Sequence, residues 1–273
     1  WPNTICCDSP DPSVGAALPA MAACLLYRVI RFAGIQVYRS SFTTCFLPVR
    51  CVMSSPLKID FVSDVSCPWC VVGLYGLTRA LEILRDEVRA EISFQPFELN
   101  PKMGPEGQNI TEHITEKYGS TPEQSQKNRE MIRARGAELG FAFRTDGNSR
   151  IYNTFDAHRL LYWAALEGLQ LPLKEALFKA YFSDGGNPSD PVQLAQIAQS
   201  VGLDRQRAEA ILASDEFANA VREEEQRWLS RGVNSVPTVV FNGQYAVTGG
   251  QPVETFVGAI RQIMSEAKGG TVS

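Results

Sequence analysis

Histidine is nearly absent from this 273-residue chain, which has two, His113 and His158, far apart in sequence. Cysteine is as sparse where a metal would need it: of seven, only Cys67 and Cys70 follow Met53. A structural zinc site takes about four thiolate or imidazole ligands, so ligand supply argues against one. A basic excess is missing too. The net charge is −4, and the Lys and Arg after Met53 are interspersed with acids, leaving no footprint for nucleic acid. The apolar run Met21 to Ile30 is interrupted by Arg28 and followed by Arg31, too short and too charged for a membrane helix of about 20 residues. What remains is an ordinary globular composition, 44% apolar and ample for a core.

A local absence divides the chain. Pro12 to Ile59 has no Asp or Glu, yet carries Arg28, Arg31, Arg39, Arg50 and Lys58, and Cys6, Cys7, Cys24, Cys45 and Cys51 fall before Met53. Acid-poor, Arg- and Ser/Thr-bearing composition is that of an organelle transit peptide, or of upstream sequence before a start at Met53. Residues 1–52 are expected to lie outside the fold on either reading. With a single cysteine pair beyond them, a reducing, cytoplasmic setting is the expectation, an organelle the alternative.

Against these absences stands Cys67-Pro68-Trp69-Cys70, between the apolar run Leu57 to Val62 and the periodic segment that starts at Val71. Two thiols then fall at a strand-to-helix junction. A thiol in a helix's first turn faces unpaired N–H groups and the positive end of the macrodipole, which favours its thiolate. Pro68 suits a first-turn position, where its missing N–H costs no helical bond. On this reading Cys67 is a nucleophile and Cys70, one turn on and more shielded, closes a disulfide with it. Half a zinc site, a structural staple and a pair of inert buried thiols compete with it; so short a loop constrains the unfolded chain little.

Leu57–Val62 reads as a strand, Val71–Arg89 as a helix with Leu74, Leu77, Leu81 and Leu84 on one face, and Ala90–Phe97 as a second strand, a βαβ unit. From Asn109 to Ser230 no strand pattern stands out. Five to seven helices are expected there, started at Thr111-Glu112, Thr121-Pro122-Glu123, Thr154-Phe155-Asp156, Ser189-Asp190-Pro191 and Ser214-Asp215-Glu216. Gly119, Gly140, Gly168, Gly202 and Gly232 mark their ends. Thr238–Phe241 and Gln244–Thr248 flank Asn242-Gly243, a type I′ hairpin signal, and Pro252–Ala267 gives a last helix with Phe256, Ile260 and Ile263 inward.

This order, βαβ, helices, then ββα with CxxC at the first helix, resembles the thioredoxin fold, an α/β fold, and its all-helical insertion resembles the DsbA-like branch. Asp64-Val65-Ser66-Cys67-Pro68-Trp69-Cys70 with Gly73, Phe97-Glu98-Leu99-Asn100-Pro101 and Gly232-Val233-Asn234-Ser235-Val236-Pro237-Thr238 are similar to the FrnE-like group of DsbA-family oxidoreductases, over about residues 56 to 266. The resemblance implies a thioredoxin-like domain from 53–106 and 232–273, with 107–231 inserted as helices. It implies Cys67 as attacking thiol, Cys70 as resolving thiol, and Val236-Pro237 as a cis-proline loop lying against the disulfide.

The resulting expectation is an enzyme, a protein disulfide oxidoreductase that needs no metal or organic cofactor and exchanges disulfides with protein or peptide thiols, with glutathione as a candidate redox partner. Neither nucleic acid nor membrane is an expected partner. Trp69 and the Val236 backbone are candidate substrate contacts, Trp69 otherwise being an exposed aromatic tolerated at a helix start and Pro237 a strand-edge turn residue. The strongly oxidising periplasmic relatives have His in place of Trp69, so strong oxidising power is not expected. Asp64 and Glu98 are candidates for proton transfer, against a plain role as solvated or capping carboxylates. His158 reads as a packed helix residue and His113 as a surface one. The alternative function is a glutathione-dependent isomerase or transferase of the kappa-class or hydroxychromene carboxylate isomerase type, a related group that typically has Ser in place of the first Cys. A third is a redox-switched binding module.

Overall fold

The structure, a computed structural model, describes residues 26–32, 35–41, 55–144 and 149–269. They fall in two units, one ending at Ser54 and one starting at Ser55. In the first, β1 (Leu26–Phe32) and β2 (Ile35–Ser41) pair antiparallel, strands that the acid-poor composition did not announce. Cys6, Cys7, Cys24, Cys45 and Cys51 lie outside the described residues.

The second unit begins with β3 (Leu57–Ser63), α1 (Pro68–Ile83) and β4 (Ala90–Pro96), β3 and β4 pairing parallel. A helical segment follows: β5 (Gln108–Asn109), α2 (Ile110–Tyr118), α3 (Pro122–Glu138), β6 (Arg150–Ile151), α4 (Phe155–Leu166), α5 (Gln170–Phe178) with a π turn at Lys179–Ser183, α6 (Pro191–Ser200), α7 (Arg205–Leu212) and α8 (Ala218–Ser230). The chain closes with β7 (Thr238–Phe241), β8 (Tyr245–Thr248) and α9 (Val253–Gly269). The sheet runs β4-β3-β7-β8, with β7 antiparallel to β3 and β8 antiparallel to β7. This is the DsbA-like thioredoxin fold with a large helical insertion.

Leu57, Ile59 and Phe61 of β3 pack with Leu74 and Leu77 of α1 and with Phe256, Ile260 and Ile263 of α9 in one core. On the opposite side Val62 and Val240 meet Trp228 of α8. β3 is therefore covered on both faces only at its C-terminal end, which explains exposed Lys58 early and unbroken burial from Phe61 to Ser63. The insertion has its own core around Leu160, Leu173, Leu194 and Ile211, and Val65, from the β3–α1 loop, is part of it. Gln170 covers the free edge of β4: its Nε2 donates to the Phe94 carbonyl and its Oε1 accepts from the Phe94 N–H, both at 2.9 Å. Among the described residues no helix is long and apolar enough to cross a membrane.

Several local expectations need correction. α1 ends at Ile83, not Arg89, because residues 84–88 form a turn that still donates Val88 N–H to the Leu84 carbonyl and so mimics helical spacing. The strand-free block holds the small β5–β6 pair. Asn109, not Thr111, caps α2. Ser214-Asp215-Glu216 does not cap α8, because Glu216 is drawn to Arg207, and Phe217 precedes the helix at φ 62° with its ring 5.4 Å from that of Tyr162. Thr121 with Gln124 forms a reciprocal capping box, and Asp190 caps α6. Asn242 and Gly243 have φ of 49° and 69°, both positive as a type I′ turn requires.

Candidate active site

β3 ends in a loop whose shape is set by Asp64. Its two carboxylate oxygens accept from Ser66 N–H at 3.1 Å and Leu99 N–H at 2.7 Å, and its carbonyl accepts from Cys67 N–H at 3.3 Å. The loop before α1 is thereby tied to the loop after β4. Cys67 then occupies the N-cap of α1, with Pro68 in the first turn and the Cys70 N–H on the Cys67 carbonyl at 3.0 Å. Both thiols are free and buried, Cys70 completely.

Across from them the Val236–Pro237 bond is cis, and the Cys67 thiol donates to the Val236 carbonyl at 3.7 Å. Gly73 makes this approach feasible: a Cβ there would lie 2.9 Å from the Pro237 ring. Trp69 is half-buried rather than exposed, packed on the core and over Gly250, where a Cβ would come within 2.9 Å of the indole. Tyr118 at the end of α2 stays 58% exposed; burial and then the Cys67 charge push its phenol up.

Beneath the thiols lies a charged group that sequence reasoning largely missed. Lys174 of α5 is fully buried, with Nζ 4.9 Å from the Phe178 ring centroid and 5.9 Å from that of Phe94, and no hydrogen-bond partner. Burial pulls its ammonium down to about 8, opposed by Cys70, Asp64 and Cys67 in that order. Burial, then the hydrogen bond and charge of Cys67, push the Cys70 thiol well up, while Lys174 pulls it back. The signal for Lys174 was present in the sequence: Leu171, Leu177 and Phe178 at its i−3, i+3 and i+4 positions put it on an apolar helix face.

Asp64 and His158 join this group. His158 is buried, as a packed helix residue, but its Nε2 lies 3.6 Å from an Asp64 oxygen, an ion-pair distance too long for a hydrogen bond. Burial raises the Asp64 carboxyl, yet His158 and the Leu99 and Ser66 N–H groups outweigh it and hold it below the usual carboxylate range. Glu98 belongs elsewhere. It accepts from Arg222, which also bonds Glu225 at 2.7 Å, and from Asn153 Nδ2 at 3.3 Å; burial raises its carboxyl, partly offset by Arg222. Neither thiol is among its partners. His113 is half-buried rather than on the surface, with Nδ1 2.7 Å from Gln108 Oε1. Among the described residues no group of three or more His, Cys, Asp or Glu is set to hold a metal.

Two thiols at a helix start, facing a cis-proline loop under a helical insertion, have counterparts among known proteins. A probable DsbA oxidoreductase from Streptomyces coelicolor is 33% identical, with a TM-score of 0.72 over 77% of this chain and 91% of that one. The cytosolic disulfide reductase DsbM from Pseudomonas aeruginosa, in a structure with GSH, shares the fold at 14% identity and a TM-score of 0.53 over 76% and 99%. A 2-hydroxychromene-2-carboxylate isomerase shares it at 16% and 0.58 over 78% and 99%. No curated protein matches significantly. Residues 58–261, a span that contains both cysteines, the insertion and the Val236–Pro237 loop, match the family described as DSBA-like thioredoxin domain, and the chain belongs to that family.

Proposed function

We propose that the protein exchanges disulfides through Cys67 and Cys70, with Cys67 as the attacking thiol and protein or peptide disulfides as substrates. The observation that carries this reading is the Cys67 sulfur at the α1 N-terminus, facing the Val236 carbonyl. A thiolate there gains from the macrodipole, and an extended substrate segment would replace the thiol as partner of the Val236 backbone. Attack gives a mixed disulfide on Cys67, which Cys70 resolves by forming the Cys67–Cys70 bond and releasing the second substrate thiol. The exchange itself uses no metal or organic cofactor, and glutathione is the proposed redox partner. The CPWC, Phe97–Pro101 and Gly232–Thr238 segments support the FrnE-like group. A cytoplasmic site of action is supported by the cytosolic setting named for the DsbM neighbour.

Asp64 acts in this reading as an ionised clamp on the active-site loop, and Glu98 as part of an ion-pair network away from the sulfur chemistry. Trp69 contributes a partly exposed face beside the thiols. The test is a Cys70→Ala trap: mixed disulfides with cellular proteins are expected to accumulate on Cys67. Capture of glutathione alone would move the chain to the isomerase or transferase reading. Cys67→Ser is expected to abolish reduction of an artificial disulfide with the fold intact, and retained activity would remove the role given to Cys67. The couple's potential against glutathione sets its direction, near about −120 mV for a disulfide donor and about −200 to −270 mV for a reductase or isomerase.

A further inference from the structure

A cavity of about 260 Å³ lies beside β4, between it and helices α4, α5 and α8, and neither cysteine lines it. Its walls are largely apolar, from Phe94 of β4 and Leu161, Tyr162 and Leu166 of α4, and its rim includes exposed Ala165 and Arg227. Three buried polar atoms without a hydrogen-bond partner belong to residues that line it: Lys174 Nζ, His158 Nε2 and Glu224 Oε2. Such orphans are rare and costly, so three around one cavity mark a polar set that a ligand would complete.

The two ends of the set differ in charge. At the rim, Arg227 donates to Glu224 Oε1 at 3.1 Å, which leaves Glu224 Oε2 an acceptor without a donor. At the buried end, Lys174 has two aromatic rings near its Nζ, no acceptor and no exposure. Asp64, whose charge also acts on Lys174, already accepts from the Ser66 and Leu99 N–H groups. Water would supply hydrogen bonds to these atoms, but only an anion would also offset the buried charge. An apolar cavity of about 150 Å³ takes benzene, so this one has room for a body of that size with polar ends.

We propose that this cavity is a binding site for a compact organic carboxylate, with its charged end on the Lys174 ammonium, its apolar body between Phe94 and the α4 side chains, and a hydroxyl donating to Glu224 Oε2. The proposal goes beyond the disulfide-exchange reading and does not need it, because the lining holds neither thiol. His158 Nε2 is a second nitrogen at the cavity without a partner, and a carboxylate has two oxygens to offer the pair. Recognition is then two-pointed. A neutral ligand would leave the ammonium uncompensated, and an acid without a hydroxyl would leave Glu224 Oε2 orphaned.

The test is an NMR titration of the full-length protein at neutral pH with 3- and 4-hydroxyphenylacetate, whose ring stands for the apolar body. The tighter of the two is expected to saturate with a dissociation constant of about 1 mM. The alcohol with CH₂OH in place of its carboxylate is expected to bind about tenfold more weakly, and so is phenylacetate, which lacks the hydroxyl. Lys174→Met is expected to hold the acid no more tightly than the alcohol while leaving the alcohol's affinity unchanged, a pattern that a general loss of structure would not give. Ala165→Trp, which fills the rim, is expected to weaken acid and alcohol alike, about tenfold or more. No saturation by either hydroxy acid up to about 10 mM would overturn the site and leave a cavity for water. Equal binding of acid and alcohol, undiminished binding of phenylacetate, a Lys174→Met variant that still favours the acid, or an unaffected Ala165→Trp would each overturn it too. An inert Cys67 in a protein that binds the acid would instead strike the disulfide-exchange reading alone.

Discussion

Two buried ionic groups flank the β3–α1 loop, and they are built differently. In the Glu98–Arg222–Glu225 group the two carboxylates share one guanidinium, with Asn153 completing Glu98. In the Asp64–His158–Lys174 group only Asp64 is satisfied, by two N–H donors, while the Lys174 and His158 nitrogens lack hydrogen-bond partners. A paired set is what packing alone would retain. A buried cation without acceptors lowers stability, and this one lies close enough to Cys70, Asp64 and Cys67 for their charges to oppose the fall in its pKa.

The largest effect that would sharpen this contrast is on Lys174. Its ammonium falls from 10.5 to about 8 on folding, equivalent to about 3 kcal/mol. The penalty is absent above 10.5, where both states are neutral. It grows as pH falls toward 8, because the unfolded chain takes up the proton first, and below that it is fully present. Lys174→Met is therefore expected to stabilise the oxidised protein, in which neither thiol titrates, by about 3 kcal/mol at neutral pH, with the gain fading by pH 10.5. Denaturant melts of both forms across that range check it, and a destabilised variant at neutral pH would break the comparison.

The opposite sign is expected in the paired group. Arg222→Met leaves Glu98 and Glu225 buried without their cation, at about 2 kcal/mol, less than a fully buried pair because the Arg222 side chain is 46% exposed. A neutral result in the same melts would mean the group is not held by charge. Smaller still, Glu98→Gln is expected to change stability by under about 1 kcal/mol and to leave disulfide exchange rates intact, since the amide can still accept from Arg222. A marked loss of exchange would return Glu98 to the sulfur chemistry. At acid pH the Asp64 carboxyl, held low, contributes stability that persists above its unfolded value and disappears as pH falls through its lower folded one; Asp64→Asn should flatten that part of the acid limb.

What was readable in the chain was local. The Asn242-Gly243 turn, the Thr121 capping box and the positive φ of Gly119, Gly140, Gly168, Gly202 and Gly232 are each decided within a few residues, by backbone sterics and side-chain reach. Local rules failed where a distant partner competed. Glu216 was drawn to Arg207 and ceased to cap, and Val88 kept helical spacing beyond the helix through a turn. Arg222 does not stand out among the charges of α8, because a sequence pattern does not say what stands opposite a helix face.

By itself the sequence determined the βαβ, helical and ββα order of the second unit, the strand-to-helix placement of Cys67 and Cys70, the Asn242-Gly243 turn and the Thr121 and Asp190 caps, all set by chemistry between near neighbours. The tertiary structure alone decided that Val236, 169 residues away, accepts from Cys67, and that Asp64, His158 and Lys174 share one site beneath the thiols. Burial and charge proximity shift protonation, and both are properties of the packed chain that come into being only when the insertion closes on β4.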